Sequence, residues 1–323
     1  MKLSVEKLTA EAEASGFRPD VLEKVVRLLG LLNTLQSHPF LKGKLALKGG
    51  TALNLFIFPV PRLSVDIDLN YIGAQSREEM QRERSPLEQA VQAVFQREGF
   101  TVRRMPQEHA GGKWRLGYTN AFGQKGRLEV DLNFMYRVPL WRGIPLNSQV
   151  LGTWQAIHIP VVDKHELVAG KLAALLSRRK ARDLFDSYHI LHMDTLDTKR
   201  LRIAFVVYGA MNRKDWRTVS TEDVSFDIDE LESQLIPTLR HETLQKHESI
   251  ESYGQMLVEG CRQALSVVLP LTEAERTFLD LLLDAGQINP ALLTDDEALQ
   301  ERIRQHPQLR WKVFNVRKYK GLA

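Results

Sequence analysis

The chain has 323 residues, 43% of them hydrophobic and 26% charged, enough for two domains and a sizeable buried core. No run approaches the roughly 18 apolar residues of a membrane span, and the N-terminus MKLSVEKLTAEAEASG lacks the apolar stretch of a signal peptide, so a cytoplasmic protein without a membrane partner is expected. Cys261 is the single cysteine, which excludes an intramolecular disulfide and a cysteine-based zinc site, and the net charge of +4 admits an anionic partner without requiring one.

Apolar residues recur at helical spacing over residues 21–35. Residues 45–47 read as the end of a strand, followed by Lys48-Gly49-Gly50-Thr51 and the apolar stretch Ala52-Leu53-Asn54-Leu55-Phe56. Two glycines let backbone pass close to a ligand, Thr51 is placed to cap the helix, and the N–H groups of a helix start attract phosphate. Lys48 adds a positive charge; glycine in such a turn also occurs for steric reasons alone. After a loop at Pro59 and Pro61, Val65, Ile67, Leu69 and Tyr71 alternate with Asp66, Asp68 and Asn70, a strand with one apolar and one polar face. A helix is expected from Ser85 as N-cap and Pro86 as first residue to a stop at Gly99. Residues 100–105 and 114–119 read as short strands with Gly111-Gly112 in the turn between them. Residues 128–134 repeat the alternation, with Leu128, Val130, Leu132 and Phe134 on one side and Glu129, Asp131 and Asn133 on the other.

Pro160 closes this strand-rich part. Asp163 and Glu166 have the spacing of a capping box, opening a helix that reaches about residue 179, and a second helical pattern covers residues 182–192. From there the pattern is almost wholly helical, ending in a basic tail. The expected fold is α+β, with a catalytic part over residues 1–195 and a helical part over 196–323.

Alternate residues of a strand share a face about 6.5–7 Å apart, so Asp66 and Asp68 project two carboxylates side by side. Parallel anions repel unless a cation neutralises them, and hard oxygen ligands suit Mg²⁺ or Mn²⁺. If the strand of Asp131 lies alongside, a third carboxylate arrives about 5 Å away, and three can hold two metals roughly 3.5–4 Å apart, the geometry of phosphoryl transfer. The plainer alternative is a solvated sheet face, against which stands the poor fit of aspartate to strands.

Gly49-Gly50-Thr51, followed by Arg62-Leu63-Ser64-Val65-Asp66-Ile67-Asp68-Leu69, resembles the first motif of the AbiEii-type toxins, members of the DNA polymerase β-like nucleotidyltransferase superfamily. The resemblance implies a polymerase-β-like domain, a small mixed or antiparallel sheet flanked by helices. It implies Asp66 and Asp68 as metal ligands, Asp131 as third carboxylate, and Gly50 and Thr51 as triphosphate contacts. Lys48 and Gly49 of the same turn complete the nucleotide-binding set, and Asp131 is the natural proton acceptor. Arg62 and Ser64 fit the same pattern, which suits a nucleotide role with Ser64 among the nucleotide-binding residues; the alternatives are a surface cation and a hydroxyl satisfying local backbone.

Leu167, Lys171 and Leu175 fall on one helical face. A lysine in that stripe either lays its stem on the core with its amine in water, or meets an anion in a site. In the family a lysine here is followed by R-D-x-x-D, present as Arg182-Asp183-Leu184-Phe185-Asp186. The resemblance implies that Lys171 contacts the triphosphate and that Asp183 or Asp186 orients it or the base; an ion-paired helix surface is the alternative.

Arg178-Arg179-Lys180 forms a basic cluster, and Arg310-Trp311-Lys312 through Arg317-Lys318-Tyr319-Lys320 interleaves cations with aromatics. Such a stretch suits single-stranded nucleic acid, or packs its aromatics on the helical part. The resemblance points to an RNA acceptor, the 3′ end of tRNA, with loss of translation, and to a separately encoded antitoxin partner. Transfer to a protein or to a small molecule such as an antibiotic, and a non-catalytic nucleotide-binding module, are the rival readings.

Overall fold

The computed structural model describes residues 3–105, 110–193 and 195–321. The chain divides into two compact units. The first runs to Arg137 and adds Gly143–Val162 and Ile236–Lys246; the second holds Val138–Arg142, Asp163–Leu235 and the chain from His247 on.

In the first unit, α1 (Val5–Ser15) and α2 (Pro19–Ser37) precede β1 (Leu45–Lys48), the short α3 (Gly49–Ala52) and β2 (Asp66–Tyr71). Then come α4 (Arg77–Arg97), β3 (Thr101–Met105), β4 (Gly111–Thr119), β5 (Lys125–Asn133), β6 (Ile144–Leu146) and β7 (Ile159–Val161). Among the described residues these strands form one mixed sheet in the order β3-β4-β5-β2-β1-β7-β6. β2 runs parallel to β5 and β1 to β7, while the other neighbours are antiparallel. The two-residue alternation works as read: Ile67, Leu69, Trp114, Leu116, Val130 and Leu132 are all buried. α2 packs against β5 and β7, and α4 against β3. Each large apolar side chain removed from water in this layer contributes about 1.5–3 kcal/mol.

Two expectations are corrected here. α4 begins at Ser76, whose hydroxyl accepts the Glu79 N–H at 3.2 Å, so Pro86 lies inside the helix rather than at its start. Met80, Leu87, Val91 and Val94 form one buried stripe through the proline, and burial on both sides outweighs the hydrogen bond it forfeits. Gly99 does follow the helix end, with φ of 84°. Gly111 and Gly112 lie within β4 instead of a turn. A Cβ on Gly111 would stand 2.2 Å from the Leu132 carbonyl oxygen, and one on Gly112 2.5 Å from the Trp114 ring, so close packing and not chain reversal requires them. Pro160 lies in β7, the last strand, opposite Pro145 of β6, and closes the strand-rich part as expected.

The second unit is helical, with α5 (Lys164–Ser177), α6 (Ala181–Leu191), α7 (Thr198–Ala210) and the helices Ile250–Ala264, Glu273–Ala285, Glu297–Gln305 and Pro307–Lys320. A division at residue 195 puts α5 and α6 with the sheet; by contact they group with the helices that follow. Asp163 caps α5 by accepting the His165 N–H at 2.9 Å, but Glu166 does not complete a capping box. Its buried carboxylate turns inward and accepts from the Trp141 N–H and the Tyr208 hydroxyl, both at 3.1 Å. The basic C-terminal stretch is itself a helix, started by Pro307 and stopped at Gly321. No helix among the described residues is long and apolar enough to cross a membrane.

Burial pushes the Glu166 carboxyl up to about 7, helped by the nearby charge of Asp163. Because the folded value lies above the ordinary 4.5, proton binding favours the fold. That contribution is complete below pH 4.5 and is lost as pH rises through about 7. Chemical denaturation of wild type and Glu166→Gln between pH 4.5 and 7.5 should therefore show wild type losing roughly 3 kcal/mol against the variant. Parallel pH profiles would contradict a protonated Glu166.

Candidate active site

The parallel pairing of β2 with β5 brings the three aspartates onto one polar face. Asp68 stands directly opposite Asp131, and Asp66 opposite Glu129. β1 extends the first row by Lys48, opposite Asp68, and β4 extends it by Lys113, opposite Asp131. Across four strands the row reads Lys48, Asp68, Asp131, Lys113: two carboxylates in the centre, flanked by two ammonium groups. The flanking aspartate and glutamate row is neutralised further out, where Glu129 accepts from Lys113 at 2.8 Å and from Arg115 at 2.9 Å. Lys113 holds Glu129 below the usual carboxylate range, and the same hydrogen bond raises the Lys113 ammonium. Asp131 goes the other way: burial, then the charge of Asp68, raises it, and Lys48 and Lys113 offset only part of this.

The glycine turn lies against this row. Gly49 has φ of 74°, and a Cβ on it would stand 2.4 Å from Asp68 Oδ2. Both the left-handed backbone and the close approach exclude a side chain there. Thr51 is not the helix cap, since α3 starts two residues earlier with Lys48 in the cap position and no side-chain cap bond. The buried Thr51 hydroxyl donates instead to the Asp66 carbonyl and lies 3.0 Å from the buried Ser64 hydroxyl. These two hydroxyls tie the turn to the start of β2. Gly50 accepts from the Asn54 side chain at 3.0 Å through its carbonyl. Arg62 is no surface cation: it is 2% exposed, donates to the Leu63 carbonyl at 2.9 Å and bridges to Leu239.

Hard-cation chemistry fits the central pair, because two opposed carboxylates of one pleated face crowd like charge until a cation neutralises it. Among the described residues no three His, Cys, Asp or Glu side chains already converge as a cage. One or two carboxylates completed by substrate phosphates is the donor set Mg²⁺ ordinarily uses.

Lys171, Asp183 and Asp186 form a second constellation, on α5 and α6. The Lys171 ammonium lies 2.8 Å from Asp183 and 2.9 Å from Asp186, and the three side chains are 10%, 3% and 0% exposed. The lysine in the apolar stripe thus meets anions, both supplied by the chain itself. Arg178 adds a bond to Asp183 at 2.7 Å. Burial alone would raise the Asp183 carboxyl; Lys171 and Arg178 hold it below its ordinary value. Lys180, in the same basic cluster, pairs with Glu230 at 3.0 Å.

Sequence reading missed Lys113 and Arg115 beside the carboxylates. Their two-residue alternation with Trp114 and Leu116 was visible, but which strand they face is a matter of register.

A family model described as the nucleotidyl transferase AbiEii toxin of type IV toxin–antitoxin systems matches residues 31–314. No curated protein sequence matches the chain. Among solved structures, the nucleotidyltransferase toxin MenT4 of Mycobacterium tuberculosis H37Rv shares the fold with a TM-score of 0.55 at 17% identity, over 94% of this chain and 98% of that one.

Proposed function

Because the chain belongs to the AbiEii family of nucleotidyltransferase toxins of type IV toxin–antitoxin systems, we propose that it transfers nucleotides from a nucleoside triphosphate to the 3′ end of RNA, tRNA foremost, and thereby blocks translation. It is a nucleotidyltransferase, and its family implies an antitoxin partner. The observation that carries the reading is the row Lys48, Asp68, Asp131, Lys113 with Asp66 one pleat away.

Asp66, Asp68 and Asp131 would hold Mg²⁺ or Mn²⁺, which when bound there neutralises the triphosphate and acidifies the attacking hydroxyl. The remaining work falls to the chain. Gly49, having no side chain, lets the turn pack directly against Asp68, and Lys48 balances the charge of the phosphates. Thr51 and Ser64 hold the turn in register with β2. Asp131 takes the proton from the 3′-hydroxyl as its oxygen attacks the α-phosphate, and pyrophosphate leaves on the far side. For Lys171 we favour a positioning role, joining α5 to α6 through Asp183 and Asp186.

An RNA acceptor, met in the cytoplasm, is supported by the helix Pro307–Lys320. Trp311, Phe314 and Tyr319 are exposed on it, with the first two rings stacked at 5.7 Å. A groove of about 540 Å³ beside them is lined by Asn212, Arg213, Leu283, Trp311, Tyr319 and Lys320. Exposed aromatics among cations offer stacking surfaces and phosphate contacts to a single strand.

The test is incubation of the protein with each α-labelled triphosphate, Mg²⁺, and in turn total RNA, lysate protein and an aminoglycoside. Label at RNA 3′ ends is expected. Label confined to protein or to the small molecule would replace the acceptor, and label nowhere would refute transfer.

A further inference from the structure

The polar face does not end at the carboxylates. β4 and β3 continue it towards the sheet edge, and register decides what they present. Lys113 faces Asp131, Arg115 faces Glu129, and Arg103 of β3 faces Arg115. Arg127 stands two residues before Glu129 on β5, hence on the same face. Lys113 and Arg115 are 36% and 37% exposed despite sharing Glu129. Arg103 and Arg127 are exposed and make no ion pair among the described residues. Four cations therefore adjoin Glu129 and Asp131.

Placing Arg103 directly opposite Arg115 costs stability, since like charges across a strand pair repel. Protection of the sheet edge against pairing is one use for a cation on β3. It does not account for Arg127 and Lys113, which lie on inner strands. A polyanion laid across the strip would turn the repulsion into attraction, and guanidinium forks match phosphate geometry.

We propose that Lys113, Arg115, Arg103 and Arg127 form a phosphate track that leads the acceptor RNA strand to Asp131. The assignment rests on the RNA-acceptor reading above, and the sides of the carboxylate pair argue for it. Lys48 and Gly49 lie on the β1 side of Asp68 and Asp131; the track lies on the β4 side. In-line displacement needs the attacking oxygen and the leaving pyrophosphate on opposite sides of the α-phosphate. With the triphosphate on the β1 side, the acceptor enters over β4 and β3. Strands lie about 4.8 Å apart, so from β5 to β3 the strip spans about 10 Å.

The experiment compares full-length wild type with the double variant Arg103→Ala, Arg127→Ala. Both side chains are exposed and Arg103 faces a like charge, so a melting temperature unchanged or slightly raised is expected and serves as the folding control. With labelled triphosphate and tRNA, the KM for RNA should rise about tenfold, with kcat and the KM for triphosphate unchanged. Anisotropy of a labelled single-stranded RNA, free of any transfer step, should show weaker binding and a salt dependence shallower by about one unit of slope per lost contact. Arg103→Lys, Arg127→Lys should recover part of the affinity. An unchanged KM and anisotropy in a variant whose wild type labels RNA would overturn the track alone. A rise in the triphosphate KM instead would assign the strip to the nucleotide. Failure of wild type to label or bind RNA would overturn the acceptor reading and the track with it.

Discussion

Replacing Asp68 by alanine should abolish nucleotide transfer, by at least roughly 10³-fold, while the melting temperature stays level or rises slightly. Asp68 occupies the centre of the polar row, between Lys48 and Asp131, and touches the turn at Gly49. It is only partly buried, so its removal leaves no cavity to collapse. What disappears is one of two opposed anions, and losing mutual repulsion relaxes the fold even as it removes a cation ligand. Activity and stability thus move in opposite directions, the pattern of a group placed for function and not for packing. Growth arrest on induction should vanish with the same substitution. Transfer within tenfold of wild type in a well-folded Asp68→Ala protein would remove the carboxylate row from the mechanism.

Lys171→Ala should behave in the reverse manner and damage the fold first. Its ammonium lies between Asp183 and Asp186 with all three side chains nearly inaccessible. Truncation leaves buried carboxylates short of their partner, a loss of about 3–5 kcal/mol. For a unit of this size that is a fall of about 10 °C in Tm. The triple variant Lys171→Met, Asp183→Asn, Asp186→Asn removes the charges together and should regain most of the lost stability. Partial retention of transfer by the triple variant is expected if the triad only positions α6. If instead Lys171→Ala keeps its Tm and loses transfer, the ammonium acts on the nucleotide and the positioning role is wrong.

The carboxylate face was readable early because strand alternation is local. Asp66 and Asp68 share a face whatever they pair with, and the same holds for Glu129 and Asp131. The glycine turn was readable for a similar reason, since two glycines between a strand and a helix constrain backbone directly. Local rules misled where packing outweighed them. Pro86 reads as a helix start, yet a continuous buried stripe carries α4 through it. Gly111 and Gly112 read as a turn, yet a carbonyl oxygen and an indole ring occupy the space a Cβ would need. Arg62 was open to reading as a surface cation, yet it is buried against backbone. Thr51 has the chemistry of a cap, yet its hydroxyl faces β2.

By itself, the sequence determined which carboxylates point the same way, where the backbone must turn beside them, and that a lysine interrupts an apolar helix stripe. Only the tertiary structure decided what each of these groups faces. That Asp131 stands opposite Asp68, that lysines flank the pair, that arginines extend the face, and that Lys171 ends between two aspartates are consequences of strand register and helix packing. Register is set by hydrogen bonds between segments far apart in the chain, and a slip of one residue would turn every side chain of a strand to the other face. No local pattern of residues carries that information.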